Sequence, residues 1–151
     1  MWSSPVEVLI AEHPAYLAQI AAYDTRWEET LGEAIAGTVA VLDRLRRSGN
    51  VRLLALTNWS QEKFPIARTR FEFLDWFEAI VVSGEERVAK PDPEIFERLK
   101  TRFDLRPERT LFIDDAPCSV AAAKKSGFET ELFHSPDALA RRLEAFGLLR
   151  S

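Results

Sequence analysis

At 151 residues, 46% of them hydrophobic, the chain fits one domain of ordinary size, able to bury a core without disulfides or a structural metal. Twenty basic against twenty-four acidic side chains leave a net charge of −4 with no basic block, which argues against nucleic-acid or membrane-surface partners and for a small molecule. Cys118 is the single cysteine, no run reaches the roughly 18 apolar residues of a membrane span, and no signal-peptide layout opens the chain, so a cytoplasmic protein is expected.

Residues 5–30 read as helical. Val6, Leu9 and Ile10 make one apolar stripe and Leu17, Ile20 and Ala21 another, with a break at His13-Pro14 because a residue before proline avoids helix. The stretch from Gly32 to Gly37 is the best boundary. From Thr38 a helix sets Val39, Leu42 and Leu45 against Asp43, Arg44, Arg46 and Arg47, and Gly49-Asn50 stops it. Residues 51–57 then form a strand with little polar alternation, which ends in Thr57, Asn58, Trp59 and Ser60. A helix follows, then an aromatic group, Phe71, Phe73, Trp76 and Phe77, that reads as core packing.

Residues 79–83 make another strand, and the loop after it ends in a helix start with Asp92 as N-cap and Pro93 at the first position. Proline holds Lys90, just before it, extended, so its ammonium can reach toward the strand ends. The helix 93–103 buries Ile95, Phe96, Leu99 and Phe103. A short apolar strand then delivers two adjacent carboxylates, Asp114 and Asp115, ahead of an alanine-rich helix closed by Gly127. The last strand covers about 130–133, and Ser135-Pro136 begins a final helix with Leu139, Leu143 and Phe146 on its inner face. Strands alternating with helices predict parallel βα units with helices on both faces.

In such sheets ligands bind outside the carboxyl ends of the strands, where Thr57-Asn58, Lys90 and Asp114-Asp115 all fall. Helix capping explains one aspartate but not two. Paired carboxylates suit Mg²⁺, which keeps most of its waters, while a lysine and a hydroxyl can position phosphate oxygens. Phosphoryl transfer, which needs chiefly positioning and charge stabilisation, fits this set better than acyl transfer.

Leu56-Thr57-Asn58, Lys90-Pro91-Asp92-Pro93 and Phe112-Ile113-Asp114-Asp115 resemble, in order and spacing, the second, third and fourth motifs of the haloacid dehalogenase-like (HAD) hydrolase superfamily. The similarity covers roughly residues 37–149, with surrounding strings like those of small sugar-phosphate phosphatases. The resemblance implies a three-layer, Rossmann-like parallel sheet and a Mg²⁺-dependent phosphatase acting on a small phosphorylated metabolite. It also implies that Thr57 binds the transferred phosphoryl group, Asn58 lines the same pocket, Lys90 stabilises nucleophile and phosphate, and Asp114 and Asp115 hold Mg²⁺.

The family's first motif, a strand followed by Asp-x-Asp that carries the nucleophile and the general acid/base, has no counterpart before Thr57. Asp24 lies in a helical, polar context and Asp43 on a helix face. Residues 1–36 instead resemble the tail of the family's helical cap, which gives a cap remnant over 1–36 and an α/β core over 37–151. The chain is expected to be shortened at its N-terminus and to lack the central first strand, with impaired activity. The strands ending at Thr57 and Asp114 should then either pair directly or leave a gap for another chain, including a second copy. Two other readings stand beside the phosphatase: a haloacid dehalogenase-like carbon–halogen hydrolase, disfavoured by the acidic pair, and a non-catalytic binding or assembly protein that keeps the fold.

Overall fold

The computed structural model describes residues 5–149; residues 1–4 and 150–151, the outermost positions of the two expected domains, lie outside them. The chain divides into two compact units, one ending at Ala34 and one beginning at Ile35. The first contains α1 (Pro5–Glu12) and α2 (Leu17–Arg26), separated by a 3-10 turn at Pro14–Tyr16. Among its described residues Trp27 is buried, while Leu9 and Leu17, one from each expected stripe, are exposed.

The second unit runs α3 (Ala36–Ser48), β1 (Leu54–Thr57), α4 (Phe64–Arg70), β2 (Ala79–Val82), α5 (Ser83–Glu86), α6 (Pro93–Phe103), β3 (Leu111–Asp114), α7 (Pro117–Lys125), β4 (Glu129–Leu132) and α8 (Pro136–Ala145). Its helix ends follow from local chemistry. Gly49, at φ +64°, stops α3 in the left-handed conformation that glycine tolerates best. Asp92 caps α6 by accepting from the Glu94 N–H at 2.9 Å, and Ser135 caps α8 by accepting from the Ala138 N–H at 3.2 Å.

All four strands are parallel to their neighbours, but they form two separate pairs, β1 with β2 and β3 with β4. Direct pairing of β1 with β3, one of the two arrangements expected above, is therefore overturned. Layers still cover both faces. On β3 the side chain of Phe112 joins a cluster built on Ile95, Phe96 and Leu99 of α6, while Leu111 and Ile113 join one built on Val41, Leu45, Leu139 and Leu143 of α3 and α8. Consecutive strand residues point to opposite faces, so the two clusters lie on opposite sides.

Two boundaries differ from expectation for physical reasons. The strand expected from residue 51 begins at Leu54, with one further bond to β2's side from the Glu78 N–H to the Leu53 carbonyl at 2.8 Å; before it, Arg52 pairs with Glu78 at 2.7 Å and donates to the Phe103 carbonyl at 2.9 Å, outside the ladder. Phe146, expected on the inner face of α8, is 39% exposed. The helix ends at Ala145, the chain reverses at Gly147 (φ +71°), and Leu149 folds back into the cluster in its place. The Arg142 guanidinium then covers the Phe146 ring at 4.5 Å.

Candidate active site

The chemistry-bearing residues collect at the carboxyl ends of β1 and β3. Thr57 and Asp114 are the last residues of those strands, and Lys90 reaches between them from the loop after α5. Its Nζ donates to the Leu56 carbonyl at 3.0 Å and to Asp114 Oδ2 at 2.6 Å. The Lys90 and Asp114 side chains are 12% and 8% exposed, so the pair is largely shielded from bulk water. Asp114 Oδ1 accepts from the Ala116 N–H at 2.9 Å, which fixes the carboxylate's orientation.

Asn58 has a role that its position at a strand end did not reveal. Its Nδ2 donates to the Lys90 carbonyl at 2.8 Å and its Oδ1 accepts from the Lys90 N–H at 2.9 Å. Both ends of the amide are thus engaged with the backbone of one residue, and Asn58 clamps the loop that delivers the ammonium. Thr57 and Asp115 behave differently: among the described residues, neither side chain has a hydrogen-bond or ion-pair partner. Asp115 is exposed, just past the end of β3. The site therefore consists of a bonded frame, Asn58, Lys90 and Asp114, and two polar side chains left uncommitted among the described residues, Thr57 and Asp115.

The loop carrying Lys90 is held from behind. Burial of the Glu86 carboxyl pushes it up, but its pairs with the Arg98 and Arg102 guanidiniums, at 3.2 and 2.6 Å, outweigh this and hold it below the usual carboxylate range. Trp59 packs edge-on against Phe64 at 5.8 Å, and its carbonyl accepts from the Gly84 N–H at 3.0 Å. A cleft of about 370 Å³ beside β2, lined by Phe64, Leu74, Phe77 and Ile80 among others, includes none of the five site residues.

Gly84, the second residue of α5, is a positional residue that sequence reasoning passed over, although a glycine next to the expected strand 79–83 is a signal of close approach. A Cβ there would lie 2.5 Å from the Gln61 nitrogen and 3.0 Å from the Ser60 backbone. Gly84→Ala is expected to cost about 1–3 kcal/mol, the usual penalty of overpacking, seen as a lower urea midpoint. Because Ser60 and Gln61 lie two and three residues after Asn58, the amide signals of Asn58 and Lys90 should shift as well; unmoved signals would mean that the clamp is independent of this packing.

No cluster of three or more His, Cys, Asp or Glu side chains that could hold a metal occurs among the described residues. A cation held by Asp114 and Asp115 would rely on those two carboxylates and on water. Each Asp114 oxygen keeps an acceptor position beyond its one bond, and Asp115 keeps all of its own. That donor set fits Mg²⁺, which takes one or two carboxylates and retains waters, and does not fit a closed structural zinc site.

Residues 4–127 match the family model of haloacid dehalogenase-like hydrolases. Glyceraldehyde 3-phosphate phosphatase of Pyrococcus abyssi is 33% identical over 100 residues, covering 66% of this chain and 42% of that one. A HAD family enzyme from Bacteroides thetaiotaomicron, solved in complex with magnesium and inorganic phosphate, superposes with a TM-score of 0.66 at 24% identity, covering 77% of this chain and 62% of the other. A hydrolase from Streptococcus pneumoniae superposes with a TM-score of 0.69 at 19% identity, covering 85% and 67%. The chain spans less than half the length of the curated phosphatase. Among the described residues, no helix is long and apolar enough to cross a membrane.

Proposed function

Because the chain belongs to the haloacid dehalogenase-like hydrolase family, we propose that its crevice is the Mg²⁺- and phosphate-binding part of a phosphohydrolase site for a small phosphorylated metabolite, impaired here for want of an attacking carboxylate. The observation that carries this reading is the division of the site into a bonded frame and two polar side chains, uncommitted among the described residues, at the ends of β1 and β3. The phosphatase activity of the Pyrococcus relative and the magnesium and phosphate in the Bacteroides enzyme support it.

Asp114 and Asp115 would hold the cation, which would supply positive charge against the negative charge of the phosphoryl oxygens. Lys90 adds a second positive charge at a fixed position, because Asn58 fixes its backbone and Asp114 its ammonium. The Thr57 hydroxyl, at the end of β1, donates to a phosphoryl oxygen. Positioning and charge stabilisation are what phosphoryl transfer chiefly requires. The attacking group is the missing part. Asp43 is engaged by Arg46 and Arg47, each at 2.7 Å, and Asp24 lies within α2.

The test uses the 151-residue chain and its Asp115→Asn variant, chosen because Asp115 has no partner to lose. Calorimetry should show Mg²⁺ binding that tightens when inorganic phosphate is present and weakens about tenfold or more in the variant, with thermal stability unchanged, since loss of a metal-ligating carboxylate costs at least one factor of ten. Hydrolysis of p-nitrophenyl phosphate should stay at the level of the variant. Absence of Mg²⁺ binding, or equal affinity in the variant, would overturn the metal assignment; Mg²⁺-dependent turnover would show that an attacking group exists within the chain.

A further inference from the structure

The cleft beside β2 lies apart from the crevice of Thr57, Lys90 and Asp114, and what it can bind does not rest on the phosphate reading. Its position follows from strand alternation. Val81 belongs to the cluster built on α6, so its neighbours Ile80 and Val82 point to the opposite face of β2. There they line the cleft with Phe64 of α4 and with Leu74 of the 3-10 turn at Glu72–Trp76. The Glu78 N–H donates to the Leu53 carbonyl on the β1 side, and alternation then turns the backbone groups of Ala79, another lining residue, away from β1. Among the described residues β2 pairs with β1 alone, so no strand covers that edge.

The inner wall is apolar and braced. Val82 is 2% and Phe64 8% exposed, and the Phe64 ring is held edge-on by Trp59 at 5.8 Å. A volume of about 370 Å³ lies within the range of small-molecule sites.

Charge decides what kind of molecule the cleft suits. Arg68, Glu78 and Glu85 are its charged lining residues. Arg68 pairs with Asp75 at 2.7 Å and Glu78 with Arg52 at 2.7 Å, so each is neutralised by a residue outside the lining. Glu86, the next residue along α5, is likewise held by Arg98 and Arg102. Glu85 has no ion-pair or hydrogen-bond partner among the described residues. The cleft therefore carries one uncompensated negative charge beside apolar walls, two of which, Phe64 and Phe77, are aromatic rings whose faces attract cations. An anion would need Arg68, which is committed to Asp75, and would meet the charge of Glu85.

We propose that this cleft binds a small organic cation, a protonated primary amine on an apolar or aromatic body. The body fills the space between Phe64, Leu74 and Ile80, and the ammonium donates to the Glu85 carboxylate in a charge-assisted hydrogen bond.

The test titrates the 151-residue chain with phenethylammonium and follows the Ile80 and Val82 methyl signals and the Glu85 amide by NMR. Phenethyl alcohol is the neutral analogue of the same shape. Saturable shifts at these positions are expected at millimolar concentration, the affinity open to a ligand of about nine non-hydrogen atoms, and the cation should bind about threefold or more tightly than the alcohol. Glu85→Gln should bring the two ligands to equal affinity, with thermal stability unchanged because Glu85 is exposed and has no partner to lose among the described residues. Glu108→Gln, which removes an exposed acid outside the cleft, should leave the preference intact. No saturable shift at Ile80 and Val82 up to about 20 mM, or larger shifts at Lys90 and Asp114, would overturn the site. Equal binding of cation and alcohol by the parent chain, or tighter binding of hydrocinnamate, would overturn the cation as its ligand. Loss of the preference in Glu108→Gln as in Glu85→Gln would reduce it to attraction by the net charge of −4 and overturn the role of Glu85.

Discussion

Lys90→Met is expected to cost on the order of 3–5 kcal/mol of stability, the penalty typical of removing one partner from a buried ion pair. Asp114 would be left 8% exposed with an oxygen that no longer meets a cation, and the Leu56 carbonyl would lose its donor in the same step. Solvent reaches neither group well enough to compensate. A surface pair such as Arg68 with Asp75, where both side chains are more than half exposed, would cost about 1 kcal/mol or less on the same treatment. The loss at Lys90 should therefore be separable from any general effect of deleting a charge.

The pair also predicts strong non-additivity. Removing Asp114 alone strands the ammonium, and removing Lys90 alone strands the carboxylate, but removing both strands neither. Lys90→Met with Asp114→Leu should thus be less destabilised than the sum of the two single variants, with a coupling of about 1–3 kcal/mol in a four-protein urea series. Additive losses would mean that the 2.6 Å contact contributes little in solution and that Lys90 acts mainly through Leu56. Mg²⁺ binding should respond differently from stability: with Lys90→Met it should persist, since both carboxylates remain, while the tightening by phosphate should be lost.

What the sequence disclosed and what it hid divide along the range of the interactions. Asp92 with Pro93, Ser135 with Pro136 and Gly49 could all be placed from sequence, because a cap or a stop is decided within a few residues. The acidic end of β3 was legible for the same reason: an apolar run that stops at two carboxylates is a local pattern. The clamp of Asn58 on Lys90 joins residues 32 apart, and the ion pair joins residues 24 apart, so only the packed chain could reveal them. The division of the sheet was one of two arrangements the sequence allowed, and the sequence could not choose between them. Apolar runs say that strands will form but not which edges will meet, and the short ladder of β1 depends on β2 alone. Phe146 misled for a related reason: its spacing matched the buried face of α8, but the turn at Gly147 let Leu149 compete for the place and take it.

Phe96→Ala tests the packing that holds the site's two halves under one roof. Phe96 is fully buried, and its ring lies edge-on to Phe112 at 5.3 Å and tilted against Phe128 at 6.0 Å. It thus links α6 to β3 and to the chain entering β4. Truncation removes most of a large apolar side chain and leaves a hole bounded by two rigid rings that cannot collapse into it, so the expected loss is about 3–5 kcal/mol. The lost edge-on contact with Phe112 adds to the transfer penalty, which puts this variant above Leu143→Ala in the opposite cluster, where flexible aliphatic neighbours can close in. In thermal unfolding the drop should be on the order of 10 °C or more. The functional reading is sharper than the stability one. Phe112 lies two residues before Asp114 on β3, so a loosened ring lets the strand end shift relative to Lys90. Phe96→Leu, which refills most of the volume, should recover most of the stability and all of the Mg²⁺ affinity. If Phe96→Ala unfolds with a large loss but binds Mg²⁺ as the parent does at low temperature, the geometry of Asp114 is set by Lys90 and Ala116 alone, and the roof serves the fold and not the site.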